Sequence, residues 1–114
     1  MSEIQDGYHS DSSVKDVSVL VKDEDINAAA RALKAMGHPL RLKILCVLVI
    51  RGETSVRDLV SIAGTSQSNI SQHLSVLREK LILVSRKDAN KVFYRIEDEN
   101  ILALMKSMKD TFCA

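Results

Sequence analysis

The segment Gly64-Thr65-Ser66-Gln67-Ser68-Asn69-Ile70-Ser71-Gln72-His73-Leu74-Ser75-Val76-Leu77-Arg78 constrains the fold of this 114-residue chain more than any other. Ile70, Leu74 and Leu77 fall at i, i+4 and i+7, so they form one stripe of an amphipathic helix entered through a Gly-Thr turn. The opposite face carries Ser68, Ser71, Gln72 and Ser75, with Gln67 and Asn69 flanking its first turn. Solvated helix faces are usually rich in Lys and Glu, because Ser and Asn compete for backbone hydrogen bonds and favour helices poorly. Uncharged short donors and acceptors suit a helix that reads base edges in a major groove. Taken alone, the segment leaves two readings open, a solvated Ser/Gln face and a DNA-reading helix.

The flanking segments favour the second. Ser55 to Ala63 reads as a short helix with Val56, Leu59, Val60 and Ala63 inward, and Gly64 stands where a helix end wants a left-handed residue. Short helix, Gly turn and second amphipathic helix make a helix-turn-helix. Downstream, Leu81 to Lys87 and Val92 to Ile96 are β-branched and aromatic runs separated by Asp88-Ala89-Asn90-Lys91, a hairpin pattern. Arg86, Lys87, Lys91 and Arg95 on this hairpin suit a basic wing gripping phosphates. The alternative is a hairpin whose lysines merely block edge-to-edge pairing.

A chain this long supports one core, and 46% apolar residues with only 4% aromatics make that core Leu, Val, Ile, Ala and Met. No apolar run is long enough to span a membrane and no secretory signal profile opens the chain, so a cytoplasmic location is expected. The net charge of +1 hides an asymmetry. Residues 1–25 hold seven acids against Lys15 and Lys22, a net of −5, which leaves 14 basic and eight acidic residues, a net of +6, in the other 89. A basic domain over residues 25–114 preceded by a flexible acidic arm over residues 1–24 fits a nucleic-acid-binding protein. Met1 to about Ser13 reads as disordered, with Val14 to Val21 forming an extra turn of helix.

Two further helices frame the domain. Ile26 to Met36 sets Ile26, Ala29, Ala30 and Leu33 on one face, and Glu97 to Phe112 sets Ile101, Met105, Met108 and Phe112 along one stripe. So small a domain has little core left for two more amphipathic helices. They either cover the monomer or pair across a two-fold axis, which doubles the DNA footprint.

Ala35-Met36-Gly37-His38-Pro39-Leu40-Arg41-Leu42-Lys43-Ile44-Leu45, then Ser66 to Arg78, then Arg86 to Ile96 resemble the ArsR/SmtB family of winged-helix repressors over about residues 26–113. The resemblance implies a mainly α fold with a small β-hairpin: a winged helix-turn-helix of four helices, two strands and a last helix. It further implies a homodimer through the first and last helices, the fourth helix in the major groove and the wings on the flanking backbone. His38 and His73 occupy family positions, and His73 is expected to pack or to make a backbone hydrogen bond. Ala89 stands where the family wing has Gly, so Asn90 is expected to supply any residue of positive φ.

Many relatives sense metals, but the thiol metal motif is replaced here by Glu53-Thr54-Ser55-Val56-Arg57-Asp58-Leu59, with Ser55 and Arg57 in the thiol positions. The last helix contains no histidine, and His9, His38 and His73 lack metal-ligand spacing, so neither metal nor cofactor is expected. Read without the family, Cys46 is a small core residue and Cys113 an incidental tail thiol. The resemblance changes that reading. Ile44-Leu45-Cys46, Arg86-Lys87-Asp88-Ala89 and Val92-Phe93-Tyr94 are similar to the dithiol, persulfide- and redox-sensing subgroup (BigR-, SqrR- and HlyU-like), in which such a pair closes on oxidation. Arg41, Lys43 and Lys109 are the cations available to favour a thiolate.

The expected function is therefore a dimeric DNA-binding transcriptional regulator released from its operator when reactive sulfur bridges Cys46 and Cys113. Gln67, Ser68, Ser71 and Gln72 are its expected base and phosphate contacts, and Arg86, Lys87, Lys91 and Arg95 its wing contacts. Two alternatives stay open: a ligand-independent anti-silencing activator with passive cysteines, and a winged-helix protein-interaction module. No nucleophile–base constellation or phosphate-cradling Gly loop is visible, so no enzyme is expected.

Overall fold

The computed structural model of the chain describes residues 11–113. Its elements are α1 (Asp11–Leu20), α2 (Asp23–Met36), α3 (Pro39–Arg51), β1 (Thr54–Ser55), α4 (Val56–Ala63), α5 (Gln67–Glu79), β2 (Val84–Asp88), β3 (Lys91–Arg95) and α6 (Glu99–Phe112). The strands form one antiparallel sheet in the order β1-β3-β2. Two elements exceed the expectation. The anticipated single turn after Ser13 is a ten-residue helix, α1, with Val14, Val17, Leu20 and Val21 exposed. Thr54 and Ser55 pair with Tyr94 and Phe93 and so give the hairpin a third strand. Of the stretch from Met1 to about Ser13 expected to be disordered, Asp11 to Ser13 instead open α1, and Met1 to Ser10 lie outside the described residues. The chain divides at Arg31/Ala32 into two compact units.

Side chains at the helix starts cap most of the second unit. His38 Nδ1 accepts from the Leu40 N–H at the head of α3, where Pro39 needs no hydrogen-bond partner. Ser55, Ser66 and Asp98 cap α4, α5 and α6 by accepting from Asp58, Asn69 and the pair Asn100 and Ile101. Gly64 closes α4 at φ 71°, the left-handed conformation its position predicted. The core behind these caps is aliphatic. Ile44, Leu45 and Leu48 of α3, Leu59 of α4, Ile70, Leu74 and Leu77 of α5, then Ile82, Leu83 and Met105 are all nearly solvent-free. Ile101 and Met108 pack against this cluster, whereas Phe112, expected on the same stripe, is exposed. The expected apolar face of α2, Ile26, Ala29, Ala30 and Leu33, is exposed, whereas Ala35 and Met36 in its last turn are buried.

α5 ends in a motif that no composition signal announces. The Ile82 N–H donates to the Leu77 carbonyl and the Leu81 N–H to the Arg78 carbonyl, with Ile82 and Leu77 both buried. This 6→1 and 5→2 pair puts Leu81 in the left-handed position usually filled by glycine, at φ 61° and 84% exposed. A side chain there costs about 1–2 kcal/mol, partly offset because glycine loses more entropy on folding. Leu81→Gly is therefore expected to stabilise the protein by about 0.5–1 kcal/mol, read as a raised thermal midpoint.

Candidate nucleic-acid interface

Ile70, Leu74 and Leu77 are wholly buried, which turns the other side of α5 to solvent: Gln67, Ser68, Ser71, Gln72 and Ser75 are exposed. The predicted reading face is thus a continuous uncharged polar surface. Behind it, α5 is held to α3 through a bracket. Arg41 donates through Nε to the Ala35 carbonyl and through Nη1 to His73 Nδ1 at 3.0 Å. The His73 ring lies against that of His38, with centroids 4.4 Å apart. His73 therefore packs as expected, but its hydrogen bond is with a side chain rather than the backbone. An arginine can only donate, so this geometry requires His73 Nδ1 to be unprotonated. Burial, then the neighbouring His38 and Arg41, hold the His73 pKa below its ordinary value of 6.5.

Hairpin register sorts the four wing cations. Arg86 pairs with Phe93, Val84 with Arg95 and Asp88 with Lys91, so these residues share one face of the sheet, Lys91 at its tip; Lys87 pairs with Val92 on the other. On the first face, Arg86 bonds Glu53 through Nη2 at 2.7 Å and Nε at 2.8 Å, and its guanidinium lies 4.7 Å from the Phe93 ring centroid. Arg95 bonds Glu53 and Glu97. The Arg86 guanidinium holds the Glu53 carboxyl below the usual carboxylate range, with Arg95 adding to the effect. Two of the four expected phosphate contacts are thus committed to an ion-pair cluster. Lys87 and Lys91 are exposed and form no ion pair among the described residues. At the hairpin tip it is Ala89, not Asn90, that takes positive φ, at 56°. A two-residue turn of this hand needs it at its first central position.

Between α4, the start of α5 and the tip of the wing runs an open groove of about 620 Å³. Arg57, Ser61, Gln67, Ser71, Asn90 and Lys91 contribute its polar lining, over a floor of Val56, Val60, Val92 and Tyr94. Of these, Gln67, Ser71 and Lys91 were legible in advance. Arg57, noticed in the sequence only as a residue unfit for a metal site, was missed; its place on the first helix of a helix-turn-helix was the available signal.

On the far side of the domain, α3 packs against α6 and brings the two cysteines together. Both are free thiols, Cys46 half-buried and Cys113 exposed, and they are close enough for Cys113 to bear on the ionisation of Cys46. Burial pushes the Cys46 thiol up, as does Cys113, while Lys109 pulls it down. Of the three cations proposed from sequence, only Lys109 acts here. Arg41 is spent on His73 and Ala35, and Lys43 reaches the Ala63 carbonyl. Among the described residues no group of three or more His, Cys, Asp or Glu could hold a metal ion, and no helix is long and apolar enough to cross a membrane.

A helix-turn-helix with an exposed uncharged polar second helix and a flanking hairpin defines a winged-helix DNA-binding regulator. Residues 38–80 match the family model described as bacterial regulatory protein, arsR family, and the chain belongs to that family. It is 41% identical over 85 residues to the HTH-type transcriptional regulator YgaV of Escherichia coli, covering 75% of this chain and 86% of that protein. It is 39% identical over 88 residues to the biofilm growth-associated repressor of Xylella fastidiosa, covering 77% and 76%. The transcriptional activator HlyU of Vibrio cholerae is 40% identical over 81 residues, covering 71% of this chain and 74% of HlyU. A solved structure of that HlyU superposes with a TM-score of 0.78 at 35% identity over 82% of this chain and all of the other, and a structure described as reduced HlyU gives 0.77 at 36% over 81% and 96%. The fold and these relatives are those of transcriptional regulators, not enzymes.

The bracket on α5 makes stability pH-dependent. A histidine whose folded pKa is lowered binds fewer protons in the folded than in the unfolded protein, so stability rises with pH across that window and falls as pH drops below 6.5. His73→Asn, which keeps an acceptor near the Nδ1 position but does not titrate, is expected to flatten this acid limb in melting curves between about pH 7.5 and pH 5.5 (roughly one unit either side of the free imidazole value).

Proposed function

We propose that this regulator binds operator DNA as a homodimer while Cys46 and Cys113 are reduced, and releases it when reactive sulfur or a related oxidant bridges them. The observation that carries this reading is the juxtaposition of the two thiols across the α3–α6 contact. An intracellular dithiol is ordinarily reduced, so its oxidation is transient and carries information. The exposed Cys113 meets a polysulfide first. Its thiolate takes one sulfane sulfur, becoming a persulfide and leaving the polysulfide one sulfur shorter. The Cys46 thiolate then attacks Cys113 Sγ and expels hydrosulfide, so two thiols are oxidised to a disulfide as one sulfane sulfur is reduced. The bond ties α3 to the end of α6. Since α3 also carries Arg41, which holds His73 of α5, strain at Cys46 has a short route to the reading helix.

Dimerisation is supported by apolar side chains left exposed in the second unit, Leu33 on the last turns of α2 and Leu104 and Phe112 on α6. Pairing these helices buries them and spaces two reading heads for two half-sites. In this reading Gln67, Ser68, Ser71 and Gln72 meet the groove, and Lys87 and Lys91 the flanking backbone. Arg86 and Arg95 serve the same backbone from within the Glu53 cluster and chiefly hold the wing in shape.

Fluorescence anisotropy with the chain's own upstream DNA at fixed salt tests the switch. The reduced protein is expected to bind tightly and to lose tenfold or so on polysulfide treatment, within the usual allosteric range of about 5–150-fold. Cys46→Ser should bind equally well before and after treatment. Equal binding by the wild-type protein in both states makes the cysteines passive and favours the activator reading, to which the name of HlyU lends support. Absence of specific binding in either state favours a protein-interaction module. Gln72→Ala is expected to reduce discrimination between operator and mismatched duplex by about 1–3 kcal/mol, measured by competition.

A further inference from the structure

Arg57 is a cation left without an acid by the arrangement around it. Three carboxylates or positions near it in sequence offer a partner, and each is closed. Glu53, one turn earlier, is held by Arg86 and Arg95. Asp58, the next residue, pairs with Arg51 at 3.5 Å. One turn later stands Ser61, which has no charge. Arg57 itself is exposed, makes no ion pair among the described residues, and lines the groove between α4, α5 and the wing. Lys91 lines the same groove at the wing tip, likewise unpaired. Among the described residues no carboxylate lines it, and the remaining polar lining is hydroxyl and amide: Ser55, Ser61, Ser71, Gln67, Asn90 and Tyr94. Two cations on opposite walls with neutral donors between them suit one class of ligand, an extended chain of phosphodiesters. Arginine, lysine, serine, asparagine and glutamine side chains are those that contact DNA backbone most often, and the first helix of a helix-turn-helix is the element that crosses it. The apolar floor keeps the trough open by packing α4 on β3.

We propose that Arg57 and Lys91 form the two walls of a trough that holds one DNA strand by its phosphates, which makes Arg57 a backbone contact of α4. The inference rests on the DNA-binding reading above. It assigns position and not sequence preference, because phosphate contacts carry no base information.

The test is anisotropy of the full-length reduced protein across a potassium chloride series, on the chain's own upstream duplex and on a scrambled duplex of equal length. Each phosphate contact contributes about 0.9 to the slope of log affinity against log salt. Because the homodimer presents Arg57 twice, Arg57→Gln and Arg57→Ala are each expected to lower the slope by about 1.8 and to weaken both duplexes by the same factor. Arg57→Lys should retain the slope, and Arg51→Ala should leave it unchanged. Arg57 is exposed, so thermal melts are expected to match the wild type. If Lys91→Ala lowers the slope while both Arg57 variants keep it, the trough is overturned and DNA binding stands. If Arg57→Ala weakens only the upstream duplex, Arg57 reads bases and the backbone assignment is overturned. A wild-type protein that binds neither duplex overturns the DNA-binding reading and the trough with it.

Discussion

Rotation of α5 about its own axis is the degree of freedom on which every other feature of the surface depends, and burial removes it. Ile70, Leu74 and Leu77 expose nothing to solvent. Returning a single such side chain to water costs about 1.5–3 kcal/mol, a large share of what holds a small domain together. With that stripe fixed, the azimuth of Gln67, Ser71 and Gln72 follows from helical geometry alone. His73, at the margin of the stripe, adds a directional contact by accepting from Arg41 while lying against His38. Apolar burial thus selects which face looks outward, and the Arg41 fork fixes how far α5 stands from α3.

Charge is distributed by pairing rather than by count. The second unit is basic, but several of its arginines are already matched: Arg51 by Asp58, Arg86 and Arg95 by Glu53. Pairing cancels most of their field beyond a Debye length, so the long-range positive potential near the reading helix comes mainly from the cations left over. Those include Arg57 and Lys91, which line the trough, with Lys87 on the wing, Arg78 and Lys80 at the end of α5, and Arg41 and Lys43 of α3.

The features legible in the sequence are those set by near neighbours. The α5 stripe, the left-handed Gly64 and the hairpin at residues 84–95 each follow from spacings of a few residues, and the structure reproduces them. What escaped depends on residues far apart. The commitment of Arg86 and Arg95 to Glu53 spans 33 and 42 positions, and β1 exists only because β3 passes beside it. Local rules also misjudged two left-handed positions. Asparagine tolerates positive φ better than alanine, yet turn geometry demands it at Ala89, and the end of α5 demands it at Leu81 although no glycine is near. Juxtaposition of Cys46 with Cys113 came from family likeness; no periodicity relates residues 67 positions apart.

Ser55 belongs to two structures at once. Its backbone pairs with Phe93 in the sheet, and its hydroxyl caps α4 by accepting from Asp58. No loop intervenes between β1 and α4, and the sheet pairing and the cap made by Ser55 together set the angle between them. In the proposed complex the two jaws of the trough therefore stand at one opening. A duplex engaging both must present its backbone at that fixed opening, and one whose native groove width differs bears the deformation energy itself. Selectivity for DNA shape is then built into a single residue that touches no base.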